Sequence, residues 1–418
     1  MPVLLEKKTK ALETSYLNLP YCETCFISQS SASISLTNDL AELATIMYKE
    51  KVKPVLVLGA AGFTGRLIAQ ALEATQTPYV LGGRQGEALA QLSGELQSKP
   101  DYRIVDITSS TRLHAALEGM SVVANAVGPF RKLGLPVMQA AIKVGVHYVD
   151  ISAEQSFIRS AFETCDAAAQ DSGLTILPGH GCDFTFAYCA AALIDEAVGR
   201  VERCNSFHWP NDFAPSRGTL KSAVGMVAEP HFTYDQGQWL EQEYAWRPKR
   251  QKFPDMKDVS YTVPFPGGDV ILLPRDFPSL EHCTSHLVLG PRESRGLAFA
   301  NKLSPITRKL MKTPLLGVIE EKIHANHRDP TEHQRQRDKW SFFVRGDGPE
   351  GRAWCRIEGS DTYGISGVCV AQAAARLARG EQKKAGVVST GKAFSAGAFL
   401  EALEPHGVKF TLMKPGAR

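Results

Sequence analysis

Gly59, Gly62 and Gly65 stand three residues apart, with Ala60, Ala61, Phe63 and Thr64 filling the gaps. Side-chain-free backbone at this spacing lets an anion reach main-chain N–H groups without meeting a Cβ, and the chemistry it suits is the holding of a diphosphate. The spacing is GxxGxxG rather than the commoner GxGxxG, but the demands are similar. Gly59 permits a sharp exit from the preceding segment, Gly62 the approach of the anion, and Gly65 the close packing of a helix against the strand. A purely structural tight turn would use the same glycines. Arg84 comes 19 residues after Gly65, where an acidic residue would usually hold a ribose 2′-hydroxyl. A guanidinium there suits a 2′-phosphate instead, gripped by two parallel hydrogen bonds. Turn and arginine together point to NADP(H) rather than NAD(H), against the plainer reading of Arg84 as a solvated surface arginine.

A nicotinamide carrier brings its own hydride, so the protein supplies orientation and a source of protons. The candidates are Tyr148 and Asp150, and then His180, Cys182 and Asp183. His180 has the ordinary pKa nearest neutrality, and with Tyr148 and Asp183 it makes up the candidate catalytic set. Each has a plainer role as well. His180 could hold loop backbone, Asp183 could cap a helix beginning near Phe184, Asp150 could be a structural acid at a strand end, and Cys182 could be small packing. None of the eleven tyrosines is followed four residues later by lysine, so the Tyr/Lys proton donor of short-chain dehydrogenases is missing. GxSxG and HExxH are missing too. His282, Cys283 and His286, and His324 and His327 with His333, form incomplete ligand sets, and the Cys22/Cys25 pair has no second pair to complete a zinc site. No metal is expected.

These residues need elements to position them. The apolar run 55–58 reads as a buried strand leading into the glycine turn, and 66–74 has helical apolar spacing. Further strands are expected at 79–81, 103–105, 122–126, 146–149 and 174–177, with helices at 87–97, 136–143 and 155–170 between them. Such alternation implies a parallel, doubly wound sheet, with ligands beyond the carboxyl ends of its strands. On that rule Asp106 and Ile107 edge the adenine, and Ala126, Val127, Gly128 and Pro129 edge the nicotinamide ribose. In the middle region a strand at 201–208 is expected to break at Trp209-Pro210-Asn211-Asp212. A helix at 217–228 follows Ser216, and a turn at 264–268 precedes a strand at 270–273. Trp239, Trp246, Trp340 and Trp354 would fit a bulky apolar substrate surface or ordinary core packing. Arg217, Arg247, Arg250 and Arg275 could meet substrate carboxylates but form no diagnostic cluster. Residues 324–339 read as an exposed charged helix or loop, where Arg335, Arg337 and Lys339 could meet an acidic carrier or simply face solvent.

Over 418 residues, 44% apolar with a net charge of +3, the composition is that of a folded enzyme, and it argues against a nucleic-acid partner. Nine cysteines, an odd number at low density, argue against a disulfide framework. The start, MPVLLEKKTK, does not read as a signal peptide, and no apolar run is long enough for an integral membrane segment. A cytoplasmic protein is expected, and a homodimer stays open.

The runs GAAGFTGRLIA, NAVGPF and LGLPVMQAAIKVGVHYVDISAEQSF resemble the saccharopine dehydrogenase-like NADP-binding family, as do GSDTYGISGVCVAQAAARLA and AGVVSTGKAFSAGAFLEALEPHGVKF near the end. The shorter, trans-acting enoyl reductase-like branch fits best. The resemblance implies an α/β protein with a Rossmann-type doubly wound parallel sheet and a second, mixed α/β substrate domain. It divides the chain into an N-terminal extension (1–50), the dinucleotide-binding domain (51–198), the substrate domain (199–355) and a segment returning to the first domain (356–418). It also implies an NADPH-dependent oxidoreductase acting on a C=C or C=N bond of a small metabolite or acyl substrate. Two alternatives remain: a non-catalytic NADP(H) sensor or scaffold, and a saccharopine-type amino-acid dehydrogenase. The sequence departs from the family at Gly179-His180-Gly181-Cys182-Asp183-Phe184-Thr185-Phe186, where a GFDSVPSD-like segment is common, and at Val388-Ser389-Thr390-Gly391, where a proline commonly follows the threonine.

Overall fold

The computed structural model describes residues 52–242, 248–256, 258–290, 293 and 315–416. The N-terminal extension with Cys22 and Cys25, and Trp246 and Arg247, lie outside the described residues.

The first sheet is built from β1 (Val55–Leu58), β2 (Tyr79–Gly83), β3 (Tyr102–Ile104), β4 (Val122–Asn125), β5 (His147–Asp150), β6 (Thr175–Leu177) and β15 (Gly386–Val387). Their order is β15-β6-β5-β4-β1-β2-β3, and every neighbouring pair is parallel. β1 and β4 are wholly buried, as strands must be when helices cover both faces of a parallel sheet. The connecting helices are α1 (Phe63–Thr75), α2 (Gly86–Glu95), α3 (Ser110–Leu117), α4 (Phe130–Val144), α5 (Gln155–Asp171) and α6 (Cys182–Ala197). Chain order reverses at β1, between β4 and β2, and ligands of such sheets lie in the crevice that opens there. The strands expected from the sequence in this half are present within two residues of their expected ends. α4 instead begins at Phe130, six residues before the expected start, and takes Pro136 inside it.

The second sheet is mixed. β7 (Arg203–Asn211) lies parallel to β12 (His282–Leu289) and antiparallel to β13 (Lys339–Gly348). β14 (Gly351–Ser360) and β16 (Lys409–Met413) extend it on one side, β11 (Ser260–Pro264) and β10 (Lys249–Gln251) on the other. β8 (His231–Asp235) also pairs with β12 and carries β9 (Gln238–Gln242). β7 alternates faces in the usual way: Cys204 belongs to the main core, while Phe207 joins Phe253, Val288 and Phe343 in a smaller cluster.

Two expectations for the middle of the chain are corrected. Residues 270–273 form part of a helix, α8 (Asp269–Asp276), not a strand. All four are buried, and a short run buried on every side carries no periodicity to tell helix from strand. The strand at 201–208 does not break at Trp209-Pro210; β7 continues to Asn211. Residues 209–211 pair with β13 alone, since β12 stops pairing at His208, and a proline is tolerated where its missing N–H faces no partner. The boundary expected between 355 and 356 falls inside β14. Beyond it, α11 (Thr362–Ala378) and β15 go to the first sheet but β16 pairs in the second.

Candidate active site

Gly59 leaves β1 with φ +83°, and a Cβ there would come within 2.9 Å of Val127 Cγ2. At Gly65 a Cβ would fall 2.1 Å from the Gly59 carbonyl oxygen. The glycines therefore let α1 start hard against the strand end. No side chain caps α1 at Gly62, and its first turn holds no acidic residue. Its leading amides, around Phe63, Thr64 and Gly65, have no partner within the helix, and the positive end of its dipole meets no competing carboxylate. Ala61 sits in the turn between them. This cradle fits a diphosphate.

Arg84 is exposed just past β2. Asp106 follows β3, where its carboxylate accepts from the Thr108 amide and hydroxyl at 3.0 and 2.7 Å, with half-buried Ile107 beside it. Those bonds lower the Asp106 pKa, and Arg112 and Arg84 add a smaller pull in the same direction. After β4, buried Asn125 accepts from the Val127 amide at 3.0 Å and so shapes the loop carrying Ala126, Gly128 and Pro129. α4 begins straight after this loop because Glu154 caps it: the buried carboxylate accepts from the Phe130 and Arg131 amides at 3.1 and 2.7 Å and from Ser222 Oγ at 2.8 Å. Ser222 lies on α7 (Arg217–Ala228), so one carboxylate joins the loop after β4 to α7.

Between the two sheets lies a cavity of about 700 Å³. The ends of the first sheet contribute Phe63, Pro129, Ile151 and Asp183, and the second sheet contributes His208, Trp340 and Phe342. α7 adds Arg217, Lys221 and Met226, and Tyr363 stands at the start of α11. Tyr363 packs edge-on to Phe63 at 5.0 Å between ring centroids, and its hydroxyl accepts from the Ser216 amide at 2.7 Å. Arg217 is held by Asp329, at 2.6 and 2.9 Å. Asp183 is half-buried in the first turn of α6. Burial pushes its pKa up to about 6, and the nearby Asp338 pushes the same way.

The other two candidate acids lie elsewhere. Tyr148 is fully buried beneath the sheet end, accepting from Asn125 Nδ2 at 3.0 Å and donating to Asp150 Oδ2 at 2.8 Å. Asp150 also accepts from the Ser152 and Gly179 amides, each at 2.8 Å, so the trio braces three loops and does not line this cavity. His180 is buried, with Nδ1 2.9 Å from Thr390 Oγ1 and its ring edge-on to Phe399. Burial takes its pKa down to about 3, which makes it a neutral packing histidine. Helix capping by Asp183 is also corrected, because the N-cap is Gly181 and no side chain caps it.

Several residues of the site had no signal in the sequence. Glu154 stands 24 residues from the amide it caps. His208 lines the cavity with Nε2 3.0 Å from Ser285 Oγ, and burial holds its pKa near about 3. Among the expected tryptophans Trp340 lines the cavity, whereas Trp239 donates to the Val270 carbonyl at 3.0 Å and Trp354 stacks on Phe207. Of the expected arginines among the described residues, only Arg217 lines it: Arg250 is exposed on β10 and Arg275 packs over Phe162. Arg335 pairs with Asp361 and Arg337 with Asp212, while Lys339 is exposed on β13. His282 meets Asp235, His286 stacks on Phe207, and His327 reaches the Pro215 carbonyl. No helix among the described residues is long and apolar enough to cross a membrane.

The Saccharopine dehydrogenase NADP binding domain matches residues 55–177, which run from β1 to the end of β6. A saccharopine dehydrogenase-like oxidoreductase from Bos taurus is 23% identical over 423 residues, covering 86% of this chain and 97% of that protein. The trans-acting enoyl reductase of Mycobacterium tuberculosis is 30% identical over 139 residues, 32% of this chain and 33% of that one. A solved saccharopine dehydrogenase (L-Glu forming) from Saccharomyces cerevisiae shares the fold, with a TM-score of 0.56 and 12% identity over 86% of this chain and 100% of that one. With the glycine cradle, the sheet order and these likenesses in agreement, the chain is an NADP-dependent oxidoreductase that carries a saccharopine dehydrogenase-type NADP-binding domain and is similar over most of its length to saccharopine dehydrogenase-like oxidoreductases.

Proposed function

We propose that the chain reduces the C=C bond of a bulky, apolar enoyl substrate, with Asp183 as the proton donor. The observation that carries this reading is the cavity of about 700 Å³, walled mainly by aromatic and aliphatic side chains and ending at the Ala126–Pro129 loop. Gly59, Ala61, Gly62, Phe63, Thr64 and Gly65 would hold the diphosphate, Arg84 the 2′-phosphate, Asp106 and Ile107 the adenine edge, and Ala126, Val127, Gly128 and Pro129 the nicotinamide ribose. In this reading the first sheet with α11 and β15 is the cofactor domain, and the second sheet is the substrate domain.

The bound NADPH supplies a hydride to one carbon of the double bond. The other carbon needs a proton, and the cavity has few groups to give one. Of the two carboxyl groups that line it among the described residues, Asp329 is tied to Arg217. That leaves Asp183, whose raised pKa keeps a useful fraction protonated at mildly acid pH. Having given up its proton to the substrate, the carboxylate takes another from water at the cavity mouth. A saccharopine-type substrate, with several carboxylates, would want several cations inside; with Arg217 held by Asp329, Lys221 is the one left in the lining, and the mainly apolar walls suit such a substrate poorly.

NADPH oxidation should be followed with short and long 2-enoyl thioesters and with cyclic imines. Long enoyl thioesters should be consumed fastest. Asp183→Asn should lower kcat about 100-fold while NADPH affinity stays within about twofold. Turnover of the imines alone, or tight NADPH binding with no turnover in either panel, would overturn the proposal.

A further inference from the structure

A second cavity, of about 380 Å³, opens in the second sheet. β8 pairs with β12 at residues 282–283 and β11 pairs with it at 286–289, so Thr284 and Ser285 are left between two strands meeting one edge. The wall carries three cations, Arg203, Lys249 and Arg345. Its one carboxylate among the described residues, Asp235, is already engaged by His282.

Arg345 is the least exposed of the three cations. Its side chain is 26% exposed, and its Nη2 donates to Asn205 Oδ1 at 2.8 Å. Its Nε is shut away from water with no hydrogen-bond partner. The neighbouring carboxylate, Asp347, stands 3.6 Å off and is held by Arg352 at 2.5 Å. Desolvation lowers the Arg345 pKa; Asp347 offsets part of this, while Arg352 and Arg203 oppose its charge. Lys249 and Arg345 line the same cavity as His286, and both disfavour its protonation. A partly desolvated guanidinium flanked by like charges is costly until an anion meets it. Tyr234 and Leu240 line the remaining space and suit a less polar group.

We propose that this cavity is a second ligand site, taking a small phosphorylated molecule whose phosphate sits between Arg345 and Lys249 with Arg203 at the rim. The cofactor cradle is a separate place in the fold, so the proposal stands apart from the reductase reading. Inorganic phosphate is the probe, titrated calorimetrically into the full chain saturated with NADP⁺, which occupies the Arg84 end. Ionic strength is held constant with sodium chloride. Phosphate should bind with a Kd on the order of millimolar. Arg345→Gln and Lys249→Gln should each weaken it by at least about tenfold and leave NADP⁺ affinity unchanged. Absence of phosphate heat, or heat that survives in both variants, would overturn the proposal. Lys249 is exposed on β10, so its variant decides the matter even if Arg345→Gln does not fold.

Discussion

Arg84 and the candidate acids show how far single residues carry their chemistry on their own. Arg84 is exposed beyond β2 and close enough to Asp106 to affect its ionisation, so two opposite charges stand where we propose the adenosine end. Arg84→Asp should weaken NADPH by about 100-fold, because two charge-assisted hydrogen bonds are lost and a repulsion is gained. NADH should change by less than about fivefold. Fluorescence titration of both coenzymes checks this, and equal losses would remove Arg84 from the phosphate site. The position of Arg84 past β2 was legible in the sequence because its distance from the glycine turn is fixed by one helix and one strand. The place of Asp183 at the cavity was legible for a similar reason, since it lies just after the sixth strand. What sequence position could not give was burial. His180, two residues before Cys182, has the more useful ordinary pKa, yet it is packed against Phe399 and Thr390 and stays neutral. Glu154 was illegible because the amides it caps are near it only through the fold.

At the scale of elements, the start of α1 is the tightest joint. The atom a Gly65 side chain would strike at 2.1 Å is the Gly59 carbonyl oxygen, and Gly59 C and Ala60 Cα come next at 2.8 and 2.9 Å. All three are backbone atoms and cannot swing aside, so the helix itself would have to move off the strand end. Gly65→Ala should therefore cost about 3 kcal/mol of stability and at least tenfold in NADPH affinity. Gly94 in α2 has nothing within 4 Å of a built Cβ, and Gly94→Ala should gain roughly 0.5 kcal/mol from helix propensity alone. Urea unfolding and NADPH titration of the pair test the joint against a neutral glycine. Elements were legible where periodicity or alternation marked them, as through the strand–helix succession of the first sheet. They were illegible where the signal vanishes: residues 270–273 are buried all round, and Pro210 continues a strand only because β12 has already ended. The early start of α4 depends on Glu154, 24 residues away from Phe130.

For the molecule as a whole, two sets of buried groups set the pH dependence of stability, and they oppose each other. Burial raises Asp150, Asp183, Asp269 and Asp276 from 3.8 to about 6. Between those values the folded chain holds more protons than the unfolded one, so their stabilisation is complete below 3.8 and is lost as pH rises to about 6. Burial lowers His180 and His208 from 6.5 to about 3 and His286 to about 4. Here the unfolded chain binds the extra protons, so their stabilisation is complete above 6.5 and is lost as pH falls. Between about pH 4 and 6 the slopes largely cancel; below that window only the histidines still titrate, and stability should fall steeply. Removing one member from each side exposes the balance. His208 sits among Phe184, Phe265 and Phe342, so His208→Phe places an apolar ring among apolar rings. It should make stability decline more steeply as pH rises from 4 to 6. Asp269→Asn should tilt the same window the other way, whatever each substitution does to stability at neutral pH. Urea midpoints at half-unit pH intervals read both slopes. Two variants that tilt in the same direction would mean that at least one of these groups carries a different charge in the folded core.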